Sequence, residues 1–249
     1  MFFAQTAAAT ARSLAAMEPD GDAAVAERAG GTVVYMGPGM FLNRAFGLGV
    51  SAPAAPDDVD FVVDFYATRD RQAEIELCPY ADEAIRTRAV ERGFTLDWFL
   101  NVYAARLADL APGEPASDIE LTPVDDSTFA IWESVWLHEG ADPVVSRFIR
   151  AAYATGSEGA LIASVGGEPV AVCSVRSAGG IADFGGMTTL PAFRHRGVQR
   201  ACLAGRIEIA RAAGCDLVVT SATPGGESAR NIERAGLTCL YTSVGLTRP

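Results

Sequence analysis

From residue 119 onward the apolar positions change period in a regular order. "IELTPV" (119–124) alternates as a strand does, and apolar spacing of three and four follows over Thr128–His138 and Val144–Ala154, predicting two helices. Short apolar runs return in "ALIASVGG" (160–167), "PVAVCSVRS" (169–177) and "IADFGGMTT" (181–189), read as three strands of which the first two are joined through the turn-forming "GGEP". A helix over Val198–Ala213 places Val198, Cys202, Leu203, Ile207 and Ala210 on one face. Strand 216–222, helix Glu227–Ala235 and strand 238–246 complete the run. A hairpin followed by β-helix-β steps predicts an α+β fold, a mixed sheet with helices on its faces.

The first half ends in the same order as the second. Residues 75–94, "IELCPYADEAIRTRAVERGF", read as a β-rich run, a turn, a helix and a closing Gly-Phe, and residues 217–237, "LVVTSATPGGESARNIERAGL", repeat that sequence of elements. Gly93 and Gly236 stand where a helix takes a left-handed residue after its last turn. "LADLAPGEPASD" (107–118), with two prolines and small or acidic residues, reads as a linker, so two related units over 1–115 and 116–249 are expected. Between "VDFVVDFYA" (59–67) and "AEIELCPY" (73–80) only a few residues intervene, which predicts that the first unit is truncated and lacks a phosphate loop and its helix. "FLNRAFGLGV" (41–50) has an Asn-Arg pair and glycines without a strand-then-helix context.

Composition narrows the function classes. A net charge of −11 argues against a nucleic-acid partner, which requires basic surface. All basic residues except the two histidines are arginine, nine in the first half against seventeen acids and eleven in the second against fourteen. Five widely spaced cysteines (Cys78, Cys173, Cys202, Cys215, Cys239) without a CxxC pair read as thiols of a reduced, cytoplasmic protein and not as a metal site. "MFFAQTAAATARSLAAM" has neither the basic nor the apolar region of a signal peptide, and no window is apolar enough to span a membrane.

In this acidic chain, positive charge gathers in one place: "AFRHRGVQRACL" (192–203), between a strand and an amphipathic helix. A helix start offers unpaired N–H groups and a partial positive charge, so a phosphate is stabilised there. Gly197 lets the backbone approach such a ligand, and Arg194, Arg196 and Arg200 can pair with it.

At "MTTLPAFRHRGVQRACL" the sequence resembles the GCN5-related N-acetyltransferases (GNAT), over about residues 119–247. The family signature Gln/Arg-x-x-Gly-x-Gly/Ala is matched at Arg194 and Gly197 and departs at Gln199, where a small residue is usual. The resemblance implies acetyl-CoA as co-substrate, with Met187, Thr188 and Thr189 bonding the pantetheine through their backbone. It implies that Arg194, His195, Arg196, Gly197, Val198, Gln199 and Arg200 wrap the pyrophosphate, and that Asn231 lies near the coenzyme arm. Independently, the mid-strand pair Gly185-Gly186 predicts a bulge or a close ligand approach, able to free an N–H as an oxyanion donor.

Amine acetylation needs a base and an acid. The tyrosine that many family members use as acid is matched here by Ile232. Tyr241 on the next strand and Ser228 are the remaining candidates, each with a packing or helix-start role as the other reading. Glu139, Asp142 and His138 in "WLHEGADP", and Asp183 on a strand, are candidate bases. Cys173 suggests an acyl-enzyme only if it leaves the core, and Trp132, Trp136 and Phe148 read either as core or as acceptor-pocket lining. The expectation is transfer of an acetyl group to a small-molecule amine by direct attack, with no metal, no nucleic acid and no membrane partner. The alternative is a non-catalytic acyl-CoA-binding module. The first half then completes the acceptor pocket or forms a homodimer interface.

Overall fold

A computed structural model describes residues 2–111, 118–138, 140, 142–156 and 159–248. The chain forms two units: residues 1–101 with 150–155 and 241–249, and residues 102–149 with 156–240.

The first unit opens with helix α1 (Phe2–Met17) and the hairpin β1 (Ala24–Arg28) and β2 (Gly31–Tyr35). Then come β3 (Ala45–Phe46), α2 (Pro56–Ala67), β4 (Ala73–Leu77), α3 (Glu83–Glu91) and the first part of β5 (Thr95–Arg106). The last strand of the chain, β12 (Thr238–Arg248), supplies residues 241–248, antiparallel to β4. The sheet order is β1-β2-β3-β4-β12-β5, with β3 and β4 parallel.

This arrangement corrects the reading of 59–67. "VDFVVDFYA" is the body of helix α2, so a strand, a loop and a helix do follow one another from Ala45 to Ala67. Its start signals are Pro56 at the first helical position and Asp57 and Asp58 in the first turn. Val59, Val62, Val63 and Tyr66, spaced by three and four, bury one face beside Tyr35, Ile75 and Ile85. The loop is nonetheless filled by the chain's own carboxylates. Asp58 accepts from the Ala55 N–H at 2.9 Å, and Asp82 accepts from those of Ala54 (3.2 Å) and Ala84 (3.0 Å). In "FLNRAFGLGV", Asn43 ties Met36 N–H and the Gly37 carbonyl at 2.7 Å each, and Arg44 pairs with Glu74 at 3.0 Å.

The second unit contains β6 (Ile119–Pro123), α4 (Phe129–Trp136), the start of α5 (Pro143–Ala154), β7 (Gly159–Val165) and β8 (Glu168–Ala178). After them come β9 (Ile181–Asp183), β10 (Met187–Thr189), α6 (Val198–Ala212), β11 (Leu217–Ala222) and α7 (Glu227–Arg234). Its sheet runs β6-β7-β8-β9-β11, with residues 102–106 of β5 beside β11. The order strand, helix, strand, helix, strand is thus shared by β3-α2-β4-α3-β5 and by β10-α6-β11-α7-β12. The expected linker is only partly one. Leu107 and Leu110 are buried with Leu203, Ile207 and Leu237 in the core of this unit.

Candidate active site

The strand expected over 181–189 is two strands. β9 pairs antiparallel with β8 and parallel with β11, whereas β10, among the described strands, pairs only with β8. Against β8, Asp183 is opposite Arg176 and Met187 is opposite Cys173, so three residues face two: a bulge. Gly186 is fixed there twice over. Its φ is +52°, and a Cβ would lie 3.0 Å from the Trp136 ring. The Gly185 and Gly186 carbonyls accept from the Ser174 hydroxyl (2.8 Å) and N–H (3.2 Å). The N–H groups of the two glycines have no acceptor among the described residues.

From β10 the chain turns through Pro191–Phe193 into the arginine loop. His195 (φ +61°) and Gly197 (φ +82°) are both left-handed, and α6 starts without a side-chain cap, so its first N–H groups stay available. A Cβ at Gly197 would meet nothing within 4 Å, so this glycine is required by backbone angle and not by space.

A cavity of about 640 Å³ opens at this point, bordered by Thr189, Arg194, His195, Gly197, Val198, Gln199 and Arg200 from the loop side and by Glu227, Arg230, Asn231 and Arg234 from α7. Arg194, Arg230 and Arg234 donate to the Thr189 carbonyl (3.3 Å), the Gly225 carbonyl (2.6 Å) and Asn231 Oδ1 (2.9 Å). Among the described residues none of the four cavity arginines has a carboxylate partner, and Glu227 is the only acid on the rim. Arg196 stands aside, its guanidinium 5.1 Å from the Phe193 ring centroid. Such a set fits a polyphosphate.

A second cavity of about 230 Å³ shares Gln199, Arg200, Asn231 and Arg234 with the first and runs inward to Phe184, Leu203, Arg206, Thr220, Ile232 and Leu237. Gln199, the departure from the family signature, accepts from Asn231 Nδ2 at 2.6 Å and so ties α6 to α7. Ile232 gives this cavity a hydrocarbon wall where a phenol is usual in the resembling family.

Asp183 is 5% exposed, and its Oδ1 has no partner. Burial pushes its carboxyl up to about 6, against the opposing pull of Arg176 and Arg206. Ser228 is exposed on the first turn of α7 and borders neither cavity. Tyr241 belongs to the first unit, where it lines a separate cavity with Glu76, Cys78 and Tyr80, and burial raises its hydroxyl to about 12. Asp142 caps α5, accepting from the Val144 N–H at 2.8 Å, and His138 Nδ1 lies 3.0 Å from the Val135 carbonyl. Glu139 lies outside the described residues. Trp132 is buried and edge-on to Trp136 at 6.0 Å, and Phe148 is half-buried on α5. Cys173 and Cys202 are fully buried and Cys215 is buried, whereas Cys239 is exposed and Cys78 half-exposed.

Three residues of the site had gone unnoticed in the sequence. Arg230 and Arg234 are four apart and so share a helical face, a signal present in "RNIER". Arg206 sits on the apolar face of α6, with no pattern to mark it. Among the described residues no group of three or more His, Cys, Asp or Glu could hold a metal ion, and no helix is long and apolar enough to cross a membrane.

No protein-family model matches the chain, and no curated protein does. Solved structures do. A GCN5-related N-acetyltransferase from Kribbella flavida is 20% identical, with a TM-score of 0.70 over 99% of this chain and 95% of that one. One from Sphaerobacter thermophilus is 19% identical, with a TM-score of 0.61 over 77% and 66%. A tandem GNAT protein from the clavulanic acid biosynthesis pathway is 13% identical, with a TM-score of 0.57 over 78% and 67%. These likenesses agree with the bulged, split strand and the arginine loop before α6: the chain has the fold of the GCN5-related N-acetyltransferases.

Proposed function

We propose that the protein is an acyltransferase that moves an acetyl group from acetyl-CoA to the amine of a small molecule, and that residues 116–249 carry the activity. The observation that carries this reading is the set of four arginines without carboxylate partners around an uncapped helix start, opening into a second cavity beside a bulged strand. Acetyl-CoA supplies a thioester carbonyl. Arg194, Arg200, Arg230 and Arg234 hold the phosphates, together with the first N–H groups of α6. The open edge of β10, Met187 to Thr189, lies along the pantetheine. The free N–H groups of Gly185 and Gly186 are the donors for an oxyanion, a role worth on the order of 3 kcal/mol in enzymes generally. Asp183 borders neither cavity, but its carboxylate lies against the Gly185 backbone at the bulge, and with its raised carboxyl it is read as the base that takes a proton of the amine. No hydroxyl on α7 replaces the missing phenol: Ile232 is apolar and Ser228 borders neither cavity. The thiolate therefore leaves with a proton from solvent. The site is read as acting in the cytoplasm.

Ile232 also favours a second reading, a module that binds acyl-CoA without turning it over. Calorimetry of acetyl-CoA with the native protein and with Gly197→Glu tests the common part. Micromolar binding (about −8 kcal/mol) that is lost in the variant is expected, and a folded native protein that does not bind sinks both readings. Consumption of acetyl-CoA with a pooled amine panel then separates enzyme from module.

A further inference from the structure

Arg206 has no role in holding phosphates, yet it is a charged side chain on the buried face of α6, 7% exposed, among Cys202, Leu203, Ile207 and Ala210. Its Nη1 donates to the Phe184 carbonyl at 3.2 Å, and its Nη2 lies 3.7 Å from Met187 Sδ. The guanidinium is 4.9 Å from the Phe184 ring centroid, and Nε is buried with no acceptor. Among the described residues no carboxylate comes within ion-pair distance of it. Asp183, which lies across the β8–β9 ladder from Arg176, feels the charge of both Arg176 and Arg206, and its Oδ1 is also without a partner. Two cations thus share one carboxylate in a buried place, and the surplus positive charge borders the inner cavity.

We propose that the inner cavity takes an acyl chain ending in a carboxylate, held by Arg206, so that the preferred donor is a dicarboxylic acyl thioester of the malonyl or succinyl class. This rests on the coenzyme reading above. The cavity suits such a chain at both ends. Phe184, Leu203, Ile232 and Leu237 line it for methylenes, and Arg206 supplies the guanidinium for the carboxylate. Its mouth is made by Gln199, Arg200, Asn231 and Arg234, the residues it shares with the arginine-lined cavity, so a group entering it arrives on the coenzyme side. An acetyl group has no carboxylate to offer the guanidinium and fills less of the cavity. In the transfer the amine nitrogen forms the amide C–N bond and the C–S bond breaks. The amine gives a proton to Asp183, the departing thiolate takes one from solvent, and the terminal carboxylate passes unchanged into the product.

The test is calorimetry with free CoA, malonyl-CoA and isovaleryl-CoA, the last having the branched shape of the malonyl group without its charge. The native protein should bind malonyl-CoA at least tenfold more tightly than isovaleryl-CoA. In Arg206→Met the two should become equal while free CoA stays within twofold of native, and Arg206→Lys should keep part of the preference. Equal affinities in the native protein, or a preference that survives in Arg206→Met, overturn the proposal and leave the coenzyme reading standing. If free CoA fails to bind the folded native protein, the coenzyme reading falls and this one with it. Should Arg206→Met not fold, the native ratio and the lysine variant decide.

Discussion

Replacing Asp183 by asparagine should stabilise the second unit at alkaline pH while removing activity. The carboxyl is 5% exposed, and burial raises it from 3.8 to about 6 although Arg176 and Arg206 both pull the other way. A carboxyl with a raised folded value favours its neutral form in the fold. Its stabilising share is therefore full below the unfolded value and is lost as pH climbs through the folded one. The shift of roughly two units corresponds to about 3 kcal/mol. Relative to the asparagine variant, native stability should fall by about 0.5 kcal/mol at pH 4 and by about 3 kcal/mol at pH 8, with most of the change complete just above pH 6. Urea unfolding of native and Asp183→Asn at pH 4, 6 and 8, followed through tryptophan fluorescence, reads the difference directly, since Trp132 and Trp136 both lie in this unit. The reasoning is refuted if Asp183→Asn is less stable at pH 8, because ion attraction to the two arginines would then outweigh desolvation. If the protein turns over acetyl-CoA as proposed, its kcat/KM should rise with pH through about 6. The asparagine variant should lose about 10² to 10⁴ in rate and show no such rise.

Three further outcomes follow from single side chains. Gly197→Ala should cost about 1–2 kcal/mol of stability through left-handed strain alone, since its Cβ enters open space; a variant as stable as native by urea unfolding would show that the loop relaxes freely. Arg230→Ala and Arg234→Ala should each weaken CoA binding by about 1.5–3 kcal/mol, the worth of a hydrogen bond to a charged group. Calorimetry in low and high salt checks this, with the native affinity falling as salt screens the cavity, and unchanged affinity in both variants would remove α7 from the phosphate site. Tyr66→Phe should destabilise the first unit by about 1–2 kcal/mol, because it leaves the Val34 carbonyl, now bonded at 2.5 Å to a fully buried hydroxyl, without that partner. A loss under 0.5 kcal/mol on urea unfolding would mean that Val34 finds another donor.

What could be read from the chain, and what could not, divides along one physical line. Patterns that repeat within a single element were legible. The apolar face of α6 and the apolar runs of β7 and β8 appear at their expected places, and the helices that start after Gly197 and at Glu227 begin where their signals stand. Residues 59–67 misled because Val-Asp-Phe-Val-Val-Asp-Phe-Tyr satisfies period two nearly as well as period 3.6. Pro56, Asp57 and Asp58 decide the matter, but only when the segment is read from its start. The break in 181–189 was signalled by Gly185-Gly186, yet the parting of β9 and β10 is a property of the sheet. β11 pairs with β9 and not with β10, and no residue of 181–189 records that choice. The same holds for the charges. Arg194 and Arg200 stand next to a helix start and declare themselves, whereas Arg206 looks like an interruption of an apolar face until the fold brings the Phe184 carbonyl, Met187 and the inner cavity to it. Chemistry that depends on one helix end is written locally in the sequence. Chemistry that depends on what lies across a sheet, as for Asp183 with Arg176, emerges only when the strands are in register. The residues to which the proposals above assign proton transfer and donor choice, Asp183 and Arg206, are both of the second kind, and for that reason their substitution discriminates among the readings more sharply than further changes in the arginine loop.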